Sequence, residues 1–379
     1  MTGDDLLAPA TAAVTAERAG AHAPPGASFA VLEGNERHVA VSGTADLRTG
    51  EALTESHVHD LASVSKVLTT LTLRRLFVDG ALSATDTLGH VLGTRAGSHA
   101  DVTLDEVLRH RAGFVEWRPL YLVPGVEEDP AATSLSTPPR YAPGSGRHYS
   151  DLGMQALGAV IARTASMPFA AAVRHLLLDP LGASSVTAGA PPDGSPSVAG
   201  ADGDAIEREM VRSGVPYPVD ADADAFHWRT ETVRGAVGDG NAFHAFRGAA
   251  GHAGWFADAD GLLRIAAALA DPERYGLGSA NSLAATVDAG QGQGVLVRWL
   301  PWRGRDRLFL GHGGFTGTFI AAAPATEGAP EVLTVLLTNR LHGRPGPGRG
   351  RLVPSETLWR GAMSHADTLL HPTTTGDRP

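Results

Sequence analysis

Strand-like runs gather near the two ends of this chain and helix-like periodicity fills its middle, and that arrangement restricts the fold more than any other feature. Residues 27–32 and 38–42 flank the turn residues Glu33-Gly34-Asn35-Glu36, which reads as an antiparallel hairpin. Residues 294–300, 307–310, 316–323 and 331–339 supply further strands near the other end. Helical spacing appears over residues 6–21, from Ser63 to Phe77, and over 104–110, 150–164, 170–178, 260–269 and 354–370. A sheet drawn from both ends must carry the middle as an insertion. The expected fold is therefore α+β, an antiparallel sheet flanked by helices with an inserted, mainly helical region. Residues 1–70 and 241–379 would form the sheet domain and 71–240 the inserted domain with long loops. Residues 117–147 and 189–240 read as irregular, 343–350 as a Pro/Gly loop and 373–379 as a frayed tail.

Within this frame one position stands apart, because Lys66 is the only lysine and every other cation counted as Lys+Arg is arginine. Lysine can surrender its proton near neutral pH when its surroundings allow; arginine cannot. In Leu61-Ala62-Ser63-Val64-Ser65-Lys66 the hydroxyl of Ser63 stands three residues before the amine, on one face of a helix. That is a nucleophile beside a base. Val67, Leu68, Leu71, Leu73, Leu76 and Phe77 continue at near-helical spacing until Asp79-Gly80, so an amphipathic helix is expected to bury the lysine stem and ease loss of its proton. Ser63 falls at the helix start, where unpaired N–H groups favour developing negative charge.

Composition removes several function classes. A net charge of -10 without a basic stripe argues against a nucleic-acid partner, and the absence of cysteine rules out disulfides and thiolate chemistry. No apolar run approaches a membrane span, and the acidic Met1-Thr2-Gly3-Asp4-Asp5 lacks the form of a secretory signal, so the expectation is a soluble, cytoplasmic protein without a membrane partner. His57-Val58-His59-Asp60 lacks the spacing of a zinc site and reads as a solvated loop; no metal ligand is assigned.

Three other stretches carry candidate chemistry. In Pro143-Gly144-Ser145-Gly146-Arg147-His148-Tyr149-Ser150-Asp151 a glycine-rich loop enters a helix, and the phenol of Tyr149 is suited to take and return a proton. In Leu310-Gly311-His312-Gly313-Gly314-Phe315-Thr316 the glycines let a ligand approach the backbone, and the N–H of Phe315 with that of Ser63 would form an oxyanion hole worth about 3 to 4 kcal/mol per donor. The small residues of Arg247-Gly248-Ala249-Ala250-Gly251-His252 read as structural support, with His252 a hydrogen-bonded scaffold.

Ser63-Val64-Ser65-Lys66, Tyr149-Ser150-Asp151 and His312-Gly313-Gly314 together resemble, in order and spacing, the three motifs of the serine β-lactamase and penicillin-binding-protein family, in its class C branch. Leu108-Arg109-His110-Arg111-Ala112-Gly113 and Leu336-Leu337-Thr338-Asn339-Arg340 are similar to further family segments. The resemblance implies that Ser63 attacks a carbonyl, that Lys66 and Tyr149 manage its proton, and that no cofactor takes part. Asp151, His312, Gly313, Gly314 and Phe315 would bind substrate. Two departures stand out: His312 replaces the usual lysine, which points to substrates without an obligatory carboxylate, and Asp151 replaces a common asparagine and would hold Lys66 charged.

The leading expectation is a serine acyl hydrolase, esterase or amidase, acting on a soluble small molecule through acyl-Ser63. A transacylase or transesterase using an amine or alcohol acceptor follows closely, and a non-catalytic sensor, a DD-peptidase or a β-lactamase are the remaining alternatives. Lys66→Arg separates charge from titration: it keeps the cation and loses the removable proton, so ester turnover should vanish in a steady-state assay.

Overall fold

The computed structural model describes residues 6–16, 21–219, 221–288, 290–344 and 351–372. The apolar runs from both ends do combine in one seven-stranded antiparallel sheet. From the N-terminal side come β1 (Gly26–Glu33), β2 (Glu36–Asp46) and the short β3 (Glu51–Ala52). From the C-terminal side come β4 (Leu296–Trp302), β5 (Arg305–Gly313), β6 (Phe319–Ala323) and β7 (Val332–Thr338), in the spatial order β4-β5-β6-β7-β1-β2-β3. The ends meet where β7 pairs with β1, from Val332↔Glu33 to Thr338↔Ala27. Every residue of β7 is buried, as expected for a central strand covered on both faces.

Alternation along the strands divides the core. On one face Phe29, Val31, Phe309, Phe319 and Leu336 meet Trp359, with the helices α1 (Ala8–Thr15) and, at the chain's end, Ser355–Leu370. Truncating a buried aromatic such as Trp359 to alanine costs about 3 to 5 kcal/mol. On the other face Ala30, Leu310, Ile320, Val335 and Leu337 pack against α2 (Ser65–Val78) and the helix Ala259–Ala270. Leu73 and Leu76 of α2 turn instead toward α3 (Asp151–Ala165), meeting Leu157, Val160 and Ile161. Thus α2 is covered on more of its faces than the amphipathic spacing suggested. It is buried nearly all round, wedged between sheet and helical cluster.

Other expectations shift for identifiable reasons. The first helix is shorter than residues 6–21: it ends at Thr15, and 17–20 lie outside the described residues, as do 345–350 of the expected loop and the tail 373–379. The expected loop 117–147 contains a helix, Pro130–Ser136, started by Asp129, whose carboxylate accepts the Ala132 N–H at 3.0 Å. Residues 189–240 are not structureless either. Ala199–Asp202 pairs with Thr232–Arg234, and α4 (Ala205–Ser213) follows the first of them. Their small core is aromatic, with Trp117, Tyr121 and Trp228 contributed from far-separated positions, so no local periodicity announced it. His57-Val58-His59-Asp60 is no solvated loop: both histidines are buried and His59–Asp60 pairs as a strand with Ala257 and Phe256. The strand expected over 307–310 runs from Arg305 to Gly313, and that expected from 316 begins at Phe319 because residues 315–317 form a turn.

That turn is anchored to the segment preceding α2. Thr316 Oγ1 donates to the Asp60 carbonyl at 2.7 Å and Thr318 Oγ1 to that of Leu61 at 3.1 Å, while the Leu61 N–H reaches Trp255 O at 2.8 Å. From the helical side, Gly251 lies so close to α3 that a Cβ would sit 1.9 Å from the Met154 carbonyl, and its own carbonyl accepts from Thr69 of α2 at 2.7 Å. Gly251→Ala should therefore destabilise the protein by about 2 to 3 kcal/mol through overpacking, read as a lower midpoint in urea unfolding with little change in slope.

Candidate active site

The nucleophile segment is set by local capping. Asp60 accepts the Ala62 N–H at 2.9 Å and the Gly238 N–H at 2.7 Å, fixing the chain at the entry to a 3-10 turn, Ala62–Val64, that runs into α2. Ala62 is held at φ 44, a left-handed conformation that costs a non-glycine residue about 1 to 2 kcal/mol. Val64 is the first residue whose N–H bonds back, to Leu61 O at 3.0 Å, so Ser63 precedes the closed turns.

Lys66 is fully buried, and its ammonium reaches Ser63 Oγ at 2.8 Å, Asp151 Oδ1 at 2.7 Å and the His252 carbonyl at 3.3 Å. The Tyr149 ring centroid is 4.9 Å from the same nitrogen. Asp151 arrives because Ser150 caps α3: its hydroxyl accepts the Gly153 N–H at 3.1 Å and donates to Val115 O at 2.6 Å. The backbone N–H of Ser150 is in turn held by His110 Nδ1 at 3.1 Å, and the His110 ring stands 4.6 Å from that of Tyr149. The structure thus brings Ser63, Lys66, Tyr149 and Asp151 to one place.

Burial by itself pulls the Lys66 ammonium toward losing its proton, as the sequence suggested. Asp151 and Tyr149 outweigh burial, and Lys66 ends above its ordinary value, firmly charged. Burial also lifts the Tyr149 phenol; Lys66 opposes that shift and Asp151 adds to it. Both proton carriers are therefore loaded at rest. Of the two expectations for Lys66, easy loss of the proton through burial gives way to the charge held by Asp151.

His312 lies at the end of β5 and is buried, with Nδ1 2.8 Å from the Gly313 carbonyl. A carbonyl only accepts, so Nδ1 carries the hydrogen and Nε2 keeps its lone pair. Burial, helped by the Lys66 charge, pushes His312 down to about 3, leaving it neutral at physiological pH. Gly313 and Gly314 serve close packing: a Cβ on Gly314 would lie 2.5 Å from the Leu61 carbonyl. Phe315 is half exposed beside Ser63, its carbonyl held by Arg340 Nε at 2.8 Å.

These groups open into a cleft of about 490 Å³. Ser63, Tyr149, Asp151 and Phe315 line it together with Val198, Ile206, Met210, Tyr217 and Val233, which give it an apolar surface, and the carboxyl of Glu207 is among them. Sequence reasoning missed Glu207, Asp239 and Tyr217, which carry no motif. His252 is more than scaffold in position: its Nε2 meets Asp239 Oδ1 at 3.0 Å, directly behind Lys66. Asp151, Asp239 and His252 have the donor types of a cation site. The ammonium of Lys66 already stands 2.7 Å from one of them, which disfavours a metal there. His57 is turned away from the cleft toward Glu51, 3.0 Å from its Oε1.

Comparison with known proteins agrees with this fold. The family model described as Beta-lactamase matches residues 11–356. Esterase EstB of Burkholderia gladioli is 31% identical over 160 residues, covering 37% of this chain and 41% of that protein; the chain thus spans about two fifths of the length of that curated relative. EstCE1, described as a hydrolase with promiscuous acyltransferase activity, superposes with a TM-score of 0.66 at 18% identity, over 97% of this chain and 100% of its own. The D-amino acid amidase of Ochrobactrum anthropi SV3 gives 0.66 at 17% identity, over 98% of each chain.

Asp151→Asn removes the charge that outweighs burial, so Lys66 should titrate lower. The rate at which a fluorophosphonate labels Ser63, followed against pH, should have its acid limb at lower pH in the variant than in the wild type; an unmoved limb would contradict the pairing.

Proposed function

Because the chain belongs to the beta-lactamase family, we propose that it is a serine acyl hydrolase acting on small-molecule esters or amides through an acyl-Ser63 intermediate. The observation that carries this reading is the 2.8 Å contact between Lys66 Nζ and Ser63 Oγ beside Tyr149, opening on an apolar cleft. Ser63 Oγ attacks the substrate carbonyl, and its proton passes to the Lys66–Tyr149 pair, which titrates as a unit. Since both members are loaded at rest, the pair first gives up one proton; turnover therefore rises toward alkaline pH. The N–H groups of Ser63 and Phe315 receive the oxyanion. The proton then goes to the leaving alcohol or amine as its bond to the carbonyl carbon breaks. Water repeats the sequence in reverse, restoring Ser63 and releasing the acid.

Esters and amides without a carboxylate next to the reacting carbonyl fit best, because neutral His312 offers such a group no fixed cation. The apolar wall favours a second reading, in which an alcohol or amine held there displaces the acyl group before water does.

A screen of short-chain aryl esters, amides and a chromogenic cephalosporin against wild type and Ser63→Ala tests the proposal. Ester turnover is expected in the wild type alone. Far more efficient hydrolysis of benzylpenicillin than of simple esters would overturn the substrate assignment, and undiminished turnover in Ser63→Ala would overturn the nucleophile.

A further inference from the structure

The cleft is lined mainly by apolar groups, with one arginine, Arg344, and a few acids, and each of these acids has its partner accounted for except one. Asp60 caps the nucleophile turn through two backbone N–H groups. Asp151 faces Lys66 at 2.7 Å. Asp204 is held by Arg229 at 2.6 Å and by His244 at 2.9 Å, and Asp239 by His252 at 3.0 Å. Glu207 has no ion-pair partner among the described residues. Its Oε2 accepts the Tyr121 hydroxyl at 2.7 Å and its Oε1 the Gly240 N–H at 2.6 Å, both neutral donors.

The placement of Glu207 on α4 sharpens the anomaly. Ile206 and Met210, next to it on the helix surface, line the cleft, whereas Arg208 and Arg212 point to Asp224 on the outside, at 3.5 and 2.5 Å. The two arginines of the helix serve the exterior acid, and the acid on the apolar face receives no cation. A carboxyl oxygen has room for a second donor beside the one it already accepts. Glu207 thus presents unused acceptor capacity to the space a substrate would fill, in a wall whose other carboxylates add to the negative field.

We propose that Glu207 selects esters or amides whose acyl or leaving group bears a protonated amine, which it binds as the missing counter-ion. The inference rests on the hydrolase reading above and names the substrate class of that same cleft. Burial, followed by the charge of Asp239, holds the empty carboxyl up at about 8, so an arriving ammonium supplies the charge that lets it ionise. The titratable groups facing it are Tyr121, Asp204 and Asp239, with Arg229, His244 and His252 behind them.

The test compares p-nitrophenyl ω-aminoalkanoates, over chains of two to six methylenes, with uncharged alkanoates of equal length at pH 7.5. At the best length the wild type should favour the ammonium ester at least tenfold in kcat/KM, the range of a charge-assisted hydrogen bond. In Glu207→Gln that ratio should fall to about one, and in Glu207→Asp it should partly return. Because the ratio is taken within each protein, a general loss of activity cancels. Equal efficiency on both esters in the wild type, or a preference that survives Glu207→Gln, would overturn the inference while leaving acyl transfer through Ser63 intact. Failure of the wild type to turn over either ester or to label at Ser63 would instead sink the hydrolase reading. If Glu207→Gln fails to fold, inhibition of wild-type turnover decides: butylammonium should compete with the uncharged ester and n-butanol should not, and equal inhibition by the two would overturn the assignment.

Discussion

A positive charge sealed between two helices is costly, and the way this protein offsets the cost organises much else. Several kcal/mol of desolvation attend each ion taken from water into a protein interior, and Lys66 is fully buried. Asp151 answers it at 2.7 Å, and Ser63 Oγ and the His252 carbonyl receive two further hydrogens. The two ions belong to different helices, so their attraction also fixes α2 against α3. Removing one member of such a pair typically costs 3 to 5 kcal/mol, because the survivor is left uncompensated. The cap that starts α3, Ser150, stands next to Asp151 and is itself oriented by His110. Catalytic geometry and helix packing therefore share one set of contacts.

The same pair gives a common cause to the two departures from the family pattern. With an aspartate at 151 the Lys66 charge is balanced locally, and with a histidine at 312 no second fixed cation is added nearby. A lysine at 312 would face Lys66 across the site; the field of Lys66 is already strong enough to help push both His312 and His110 down. A fixed cation does remain nearby in Arg147, 5.6 Å from the Tyr149 ring centroid, so the histidine removes one cation from the site and not all of them.

What the sequence made legible follows from range. The strands at both ends, the Ser63–Lys66 spacing and the order of the three motifs are local or nearly local signals, and the α+β sheet with its helical cluster was readable from them. The direction of the Asp151 effect on Lys66 was legible too, but its weight against burial was not, since the outcome depends on a distance between residues 85 positions apart. Helix α4 was missed because its core partners, Trp117, Tyr121 and Trp228, lie on separate segments and produce no periodic pattern. His57 and His59 were misjudged for a similar reason: histidine beside aspartate looks polar, yet strand pairing with Phe256 and Ala257 carries the segment inside.

The wall that closes the cleft is built differently from the machinery it faces. Ser63, Lys66 and Tyr149 sit at the N-terminal ends of α2 and α3, whose cores are large and mainly aliphatic. The α4 part of the cleft rests on its own small aromatic cluster, in which Tyr121 is tilted against Phe226 at 5.0 Å and stands edge-on to Trp228 at 5.7 Å. Tyr121 also holds the carboxyl of Glu207, so one side chain joins that cluster's packing to the polar group it presents. The two packing clusters are separate, but Asp239 joins them: its charge bears on Glu207, and its carboxylate meets His252 directly behind Lys66. A change in the wall that moves Asp239 therefore reaches the Lys66 pair, whereas one confined to the aromatic cluster does not.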